Sequence, residues 1–93
     1  MIKSFNDKES EEVFNRTYSK KLPETIQQRA LRKLRMIDAA ADINDLRVPP
    51  GNRLETLGGD HEGQHSIRIN NQWRICFTRS QGDAYDVEIV DDH

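Results

Sequence analysis

Two consecutive prolines in the segment Val48-Pro49-Pro50-Gly51-Asn52 divide this chain into halves of different periodicity, and that break constrains the fold more than any other feature. Proline lacks an amide hydrogen and clashes with a preceding helical turn, so no helix continues through the segment. Before it, Ile26, Ala30, Leu34, Ile37 and Ala41 recur at helical spacing, which predicts one apolar stripe on a helix that Pro23 opens in its first turn. Asn6 with Glu9 predicts a capped start to an earlier helix through Val13, Phe14 and Tyr18, and Ile2 with Phe5 fits a short leading strand.

After the prolines the period becomes two. Leu54 and Leu57 belong to a short strand, Ile67 and Ile69 alternate with Arg68, and Trp73, Ile75 and Phe77 alternate with Arg74, Cys76 and Thr78. Asn70-Asn71-Gln72 makes a tight turn, because asparagine tolerates positive φ, and Gln81-Gly82-Asp83 makes the next one before Tyr85, Val87 and Ile89. The expected fold class is α+β: two to three N-terminal helices packed on a small twisted antiparallel sheet, with the leading strand able to join an edge. At 93 residues the chain is expected to be a single domain, 1–93, which puts any site on the surface of a small scaffold.

The lone cysteine, Cys76, cannot close an internal disulfide, and no paired cysteine and histidine spacing suggests zinc, so neither a metal nor another cofactor is expected. The N-terminus lacks the apolar core of a signal peptide and the chain lacks a span of roughly 20 apolar residues, which predicts a cytoplasmic protein with no membrane partner. A net charge of -2 argues against a domain that binds nucleic acid by blanketing it with positive charge. The charge is nevertheless unevenly placed. Arg16, Lys20, Lys21, Arg29, Arg32, Lys33 and Arg35 face one acid, Glu24, in the helical half, whereas Asp83, Asp86, Glu88, Asp91 and Asp92 gather near the C-terminus. The basic helix face is either simply solvated or a contact surface, with Arg29, Arg32 and Lys33 as its candidates.

No phosphate-cradling glycine loop is present, since Gly58-Gly59 precedes no helix, and no Gly-x-Ser-x-Gly elbow occurs. Cys76 lies inside a strand and is a poor nucleophile candidate. What remains is a set of arginines on strands and the histidines His61, His65 and His93, which suit phosphodiester chemistry. Arginine pairs with phosphate oxygens and stabilises added charge, while histidine moves protons near neutral pH. RNA supplies its own nucleophile, the 2′-hydroxyl. Arg68 and Arg74, on neighbouring strands and opposite the apolar residues, either share a groove or pair with Glu88 or Asp86 on the next strand.

The runs Pro49 to Glu55, Gly59 to Asn70, Gln72 to Phe77 and Val87 to His93, with the opening Met1 to Phe5 and the helix ending Met36 to Ala40, resemble the HigB toxins of the RelE/ParE superfold over nearly the whole length. The resemblance implies a RelE-like fold, binding in the ribosomal A site, and mRNA cleavage there that inhibits translation and arrests growth. It also implies a HigA-like helix-turn-helix antitoxin that neutralises the toxin, with operator DNA contacted only through the complex of the two. Carried over by position, His93, Asp91, Asp92 and Arg74 are the implied catalytic residues, and Arg68, Arg53, His61 and His65 the implied RNA-binding ones. Asp92 stands where the family commonly has a tyrosine, Gly58 where a lysine is frequent, and His61 where arginine is common. An aspartate cannot stack on a base and repels phosphate. The alternatives are therefore a weakened or inactive toxin homologue acting as an antitoxin-binding corepressor, or a ParE-like gyrase inhibitor.

Overall fold

The structure, a computed structural model, describes residues 1–17, 19–57 and 63–91. Helix α1 spans Lys8–Phe14 and α2 spans Glu24–Ala39; two single-turn 3-10 segments, Ile43–Arg47 and Pro50–Asn52, follow. The strands β1 (Glu55–Thr56), β2 (Gln64–Arg68), β3 (Trp73–Ser80) and β4 (Asp83–Asp91) form one antiparallel sheet in the order β1-β2-β3-β4.

The first helix starts one residue later than the sequence pattern suggests. Asp7 is its N-cap, accepting the Ser10 amide at 2.8 Å, because the Asn6 amide is committed elsewhere: it donates to the Val87 carbonyl at 2.9 Å. That bond belongs to the leading segment, where Ile2 and Phe5 form parallel bridges to Ala84 and Val87 and so extend the β4 edge, as expected of a leading strand able to join an edge.

Pro23 serves as the N-cap of α2 rather than as a residue of its first turn. Ile26, Ala30, Leu34 and Ile37 are buried as the stripe predicts, but its last member is wrong: α2 stops at Ala39, Ala40 is buried and Ala41 is exposed. The reason is a competing cap. The Asp45 carboxylate accepts the amides of Ala41 and Asp42 at 3.0 and 3.1 Å, and Asp42 in turn accepts Asn44 at 2.8 Å, which draws the chain out of α2 into a new turn.

Both helices lie on one face of the sheet, where Ile67, Ile75, Phe77, Val87 and Ile89 meet Val13, Ile26, Ala30, Leu34 and Ile37. Full burial of each large aliphatic or aromatic side chain contributes about 1.5–3 kcal/mol, so this interface dominates stability. The other face carries Ser66, Arg68, Arg74, Cys76, Thr78, Tyr85 and Glu88. Tyr85 departs from the expected alternation with Val87. Cys76 pairs with Glu88 but Thr78 pairs with Tyr85, so β4 holds one extra residue there, and Asp86 takes a left-handed φ of 54°. This bulge turns Tyr85 onto the uncovered face while Val87 stays in the core. At the β3–β4 turn, Gln81 and Gly82 have φ of 51° and 83°, the doubly positive geometry that favours glycine in a two-residue hairpin.

Candidate functional site

The uncovered face is organised by cross-strand rows. Arg68 and Arg74 are direct partners across β2 and β3, with Val90 next on β4; beside them runs the row Glu55, Ser66, Cys76, Glu88. Two arginines side by side repel each other, and the structure relieves this by giving them different surroundings. Arg74 is only 7% exposed. Its Nε donates to Ser66 Oγ at 3.0 Å, and its Nη2 donates to the carbonyls of Arg53 at 2.7 Å and Ser66 at 3.3 Å. Glu55 lies 3.9 Å from the same nitrogen but is largely exposed, so this ion pair contributes little. The pairing partner thus comes from β1, not from Glu88 or Asp86 on β4.

Arg68 is half-buried and its Nη2 donates to the Asn71 side-chain carbonyl in the adjoining turn. That turn is held by Asn70, whose Oδ1 accepts the amides of Gln72 and Trp73, both at 2.8 Å. Asp91 pairs with Trp73 at the end of β4, and its Oδ2 accepts Gln72 Nε2 at 3.1 Å. The hairpin end of the sheet therefore holds Arg68 and Arg74 on the uncovered face and Asp91, the partner of Trp73, on the opposite one.

The other residues singled out by the sequence are dispersed. Arg53 has an exposed side chain and a left-handed φ of 45°, and enters the site through its carbonyl, which Arg74 takes. His65 turns to the helix side of the sheet, its ring centroid 5.8 Å from that of Phe77 and its Nδ1 3.0 Å from Thr56 Oγ1. Burial, and then the positive charge of Arg79, lower the His65 pKa, so the ring favours its neutral form. His61, Asp92, His93, Gly58 and Tyr18 lie outside the described residues.

Two contributors escaped sequence reasoning. Glu55 faces the arginine row only because β1 is as short as two residues and pairs Glu55 with Ser66, a register that no turn signal specifies. Asn52 is fully buried: its Nδ2 donates to the Leu46 carbonyl at 3.1 Å and its Oδ1 accepts Lys33 Nζ, which ties the proline segment to α2. Asparagine after Pro-Pro-Gly reads as a turn residue, and its burial leaves no trace in the pattern.

Comparison with known proteins places this geometry. The sequence model of the HigB-like toxins, described as the RelE-like toxin of type II toxin-antitoxin system HigB, matches residues 3–93. This chain belongs to the HigB-like toxin family. It is 41% identical over 85 residues to Toxin HigB-1 of Vibrio cholerae serotype O1, covering 90% of each chain, and 36% identical over 93 residues to Endoribonuclease HigB of Proteus vulgaris, covering all of both. Among solved structures, the YoeB-YefM complex from Staphylococcus aureus aligns with a TM-score of 0.57 at 17% identity, covering 95% of each chain, and shares its α+β fold. The HigB-like resemblance read from the sequence motifs is thereby established. As a toxin of a type II toxin-antitoxin system, this HigB-like protein works opposite an antitoxin. Among the described residues no helix is long and apolar enough to cross a membrane.

Proposed function

We propose that this HigB-like toxin is a cytoplasmic endoribonuclease that cleaves mRNA on the ribosome and is neutralised by a HigA-like helix-turn-helix antitoxin. The observation that carries the reading is the pairing of Arg68 with Arg74 at the hairpin end of the uncovered face, at the end of the sheet where Asp91, on the opposite face of β4, leads in sequence into Asp92 and His93. The relative that is named an endoribonuclease and aligns over the full length supports it.

The chemistry asked of these residues is a transesterification. The 2′-oxygen bonds to phosphorus as it loses its proton to a base, the bond from phosphorus to the 5′-oxygen breaks, and the departing oxygen takes up a proton. The products are a 2′,3′-cyclic phosphate and a 5′-hydroxyl. His93 is assigned the proton transfers, with Asp91 orienting its imidazole and Asp92 as an additional proton acceptor. Arg68 offers its guanidinium to the charge that develops on the phosphate. Arg74, already bonded to Ser66 and Arg53, acts mainly by holding β1, β2 and β3 in register, with its remaining Nη1 turned to the same task as Arg68. Arg53 and His61 extend the RNA path. His65, against Phe77, takes no part in the reacting group.

Primer extension on mRNA from induced cells tests the assignment. Cuts within translated codons that disappear with His93→Ala are expected; no cuts, or cuts that survive the substitution, would remove the chemistry from this C-terminus. A second reading, a weakened toxin serving as a corepressor, is favoured by Asp92 at the position of the family's usual tyrosine. Asp92→Tyr discriminates. Growth arrest that strengthens with Asp92→Tyr supports the weakened form, and arrest already maximal in the wild type excludes it.

A further inference from the structure

At the hairpin end, α2 approaches the β2–β3 turn and leaves a cavity of about 400 Å³ between them. Arg29 and Lys33 line it from the helix, Arg68, Asn70 and Asn71 from the hairpin, and Gly51 from the proline segment. None of the described lining residues is a carboxylate. Arg29 and Lys33 are one helical turn apart, a spacing at which like charges repel. The Lys33 ammonium is correspondingly weakened, first by burial and then by the charge of Arg29.

These cations are held in place from behind. Lys33 Nζ donates to Asn52 Oδ1, and Asn52 is itself anchored through its Nδ2 to the Leu46 carbonyl at 3.1 Å. Arg29 Nη1 reaches the Ile69 carbonyl at 3.4 Å, a long bond that leaves most of its guanidinium donors for another acceptor. Arg68 approaches from the opposite wall. Three positively charged residues thus line one recess together with neutral amides and carbonyls, an arrangement that a bound anion stabilises.

We propose that Arg29, Lys33 and Arg68 form a binding notch for one backbone phosphate of a single-stranded RNA, next to the group that the uncovered face acts on. The inference rests on the reading of this toxin as an RNA-cleaving enzyme. RNA is favoured over an acidic protein segment by continuity: Arg68 lines the notch and also stands beside Arg74 on the uncovered face, so one strand can engage both. The asparagine side chains of the turn, Asn70 and Asn71, provide hydrogen-bonding groups beside the phosphate position.

The test is binding, kept apart from cleavage. The full-length chain carrying His93→Ala is titrated with a fluorescently labelled single-stranded RNA, and anisotropy is followed at several salt concentrations. In that background Arg29→Gln with Lys33→Gln is expected to weaken binding several-fold and to lower the slope of log affinity against log salt by about 0.7, the value for one phosphate contact on a single strand. Two separate phosphate contacts would take away about twice that slope and overturn the single-phosphate notch. Arg35→Gln removes one charge from an exposed position of α2 outside the notch and is expected to leave the slope unchanged; a loss as large as that of the notch variants would also overturn the proposal. Because Lys33 bonds Asn52, the single variant Arg29→Gln, with an unchanged melting curve, guards against misfolding. If it binds RNA as the His93→Ala parent does, or if antitoxin affinity falls while RNA affinity does not, the notch is not an RNA phosphate site. Failure of the nuclease reading would appear instead as intact mRNA in cells expressing the wild type.

Discussion

The two faces of the sheet are made from the same strands and obey different rules. On the helix side, Ile67, Ile75 and Ile89 line up across β2, β3 and β4 and are at most 5% exposed. Their neighbours are interchangeable in chemistry and demanding in volume. On the uncovered side the adjacent rows hold Ser66, Cys76 and Glu88, and Arg68, Arg74 and Val90. There Ser66, Arg68 and Arg74 have particular hydrogen-bond partners and volume matters less. The lesson is a division of labour: the helix side supplies most of the stability, which allows the other face to carry polar and charged groups whose mutual arrangement contributes less.

The largest effect is expected where the comparison is most extreme. Ile75→Ala removes a fully buried side chain between α2 and the sheet and is expected to cost about 2–5 kcal/mol, read as a lower urea midpoint with little change in slope. Arg74→Met should cost less, about 1–3 kcal/mol, through the partners that it leaves unbonded, Ser66 Oγ and the Arg53 carbonyl. Arg74→Lys keeps the charge but not the fork, and should recover only part of that loss. A cost as large as that of Ile75→Ala would show that the uncovered face is as much a core as the other.

A smaller effect separates the faces by pH. The folded pKa of His65 lies below its unfolded value of about 6.5, so the unfolded chain binds more protons between the two. Its contribution to stability is present above the unfolded pKa and is lost as pH falls through the folded one. Urea midpoints measured downward from about pH 7 should show this loss, and His65→Asn should flatten that part of the profile. The smallest effect on stability is expected for Arg68→Ala, within about 0.5 kcal/mol, because its recorded partner is a turn asparagine.

How far the sequence reveals each face follows from the same division. Hydrophobic periodicity reports burial, so the stripe Ile26, Ala30, Leu34, Ile37 and the alternation of Ile67, Ile69, Trp73, Ile75 and Phe77 were legible, and with them the α+β fold. The pattern failed where hydrogen bonds overrode it. Asp45 ended α2 before Ala41, the Asn6 amide went to Val87 instead of staying beside its helix, and the bulge at Asp86 sent Tyr85 across the sheet. The site was legible only in part, for the same reason. That Arg68 and Arg74 share a face follows from alternation, whereas the burial of Arg74 depends on Glu55 and the Arg53 carbonyl, which arrive from a short strand set by loop geometry. The motif resemblance carried the family assignment, which no periodicity could supply.

The claim that one face acts on RNA while the other holds the fold is tested most directly by a matched pair of sheet arginines. Arg68 lies on the uncovered face; Arg79 lies on the helix side, where its guanidinium donates to the Ala40 and Ala41 carbonyls at 3.5 and 2.7 Å beyond the end of α2. Cleavage of ribosome-bound mRNA by primer extension, measured with the melting temperature of each purified variant, decides the matter. Arg68→Ala is expected to lower cleavage at least tenfold with an unchanged melting temperature, and Arg79→Ala to melt earlier while cleaving normally when folded. Normal cleavage by Arg68→Ala, or its loss in folded Arg79→Ala, would contradict the account.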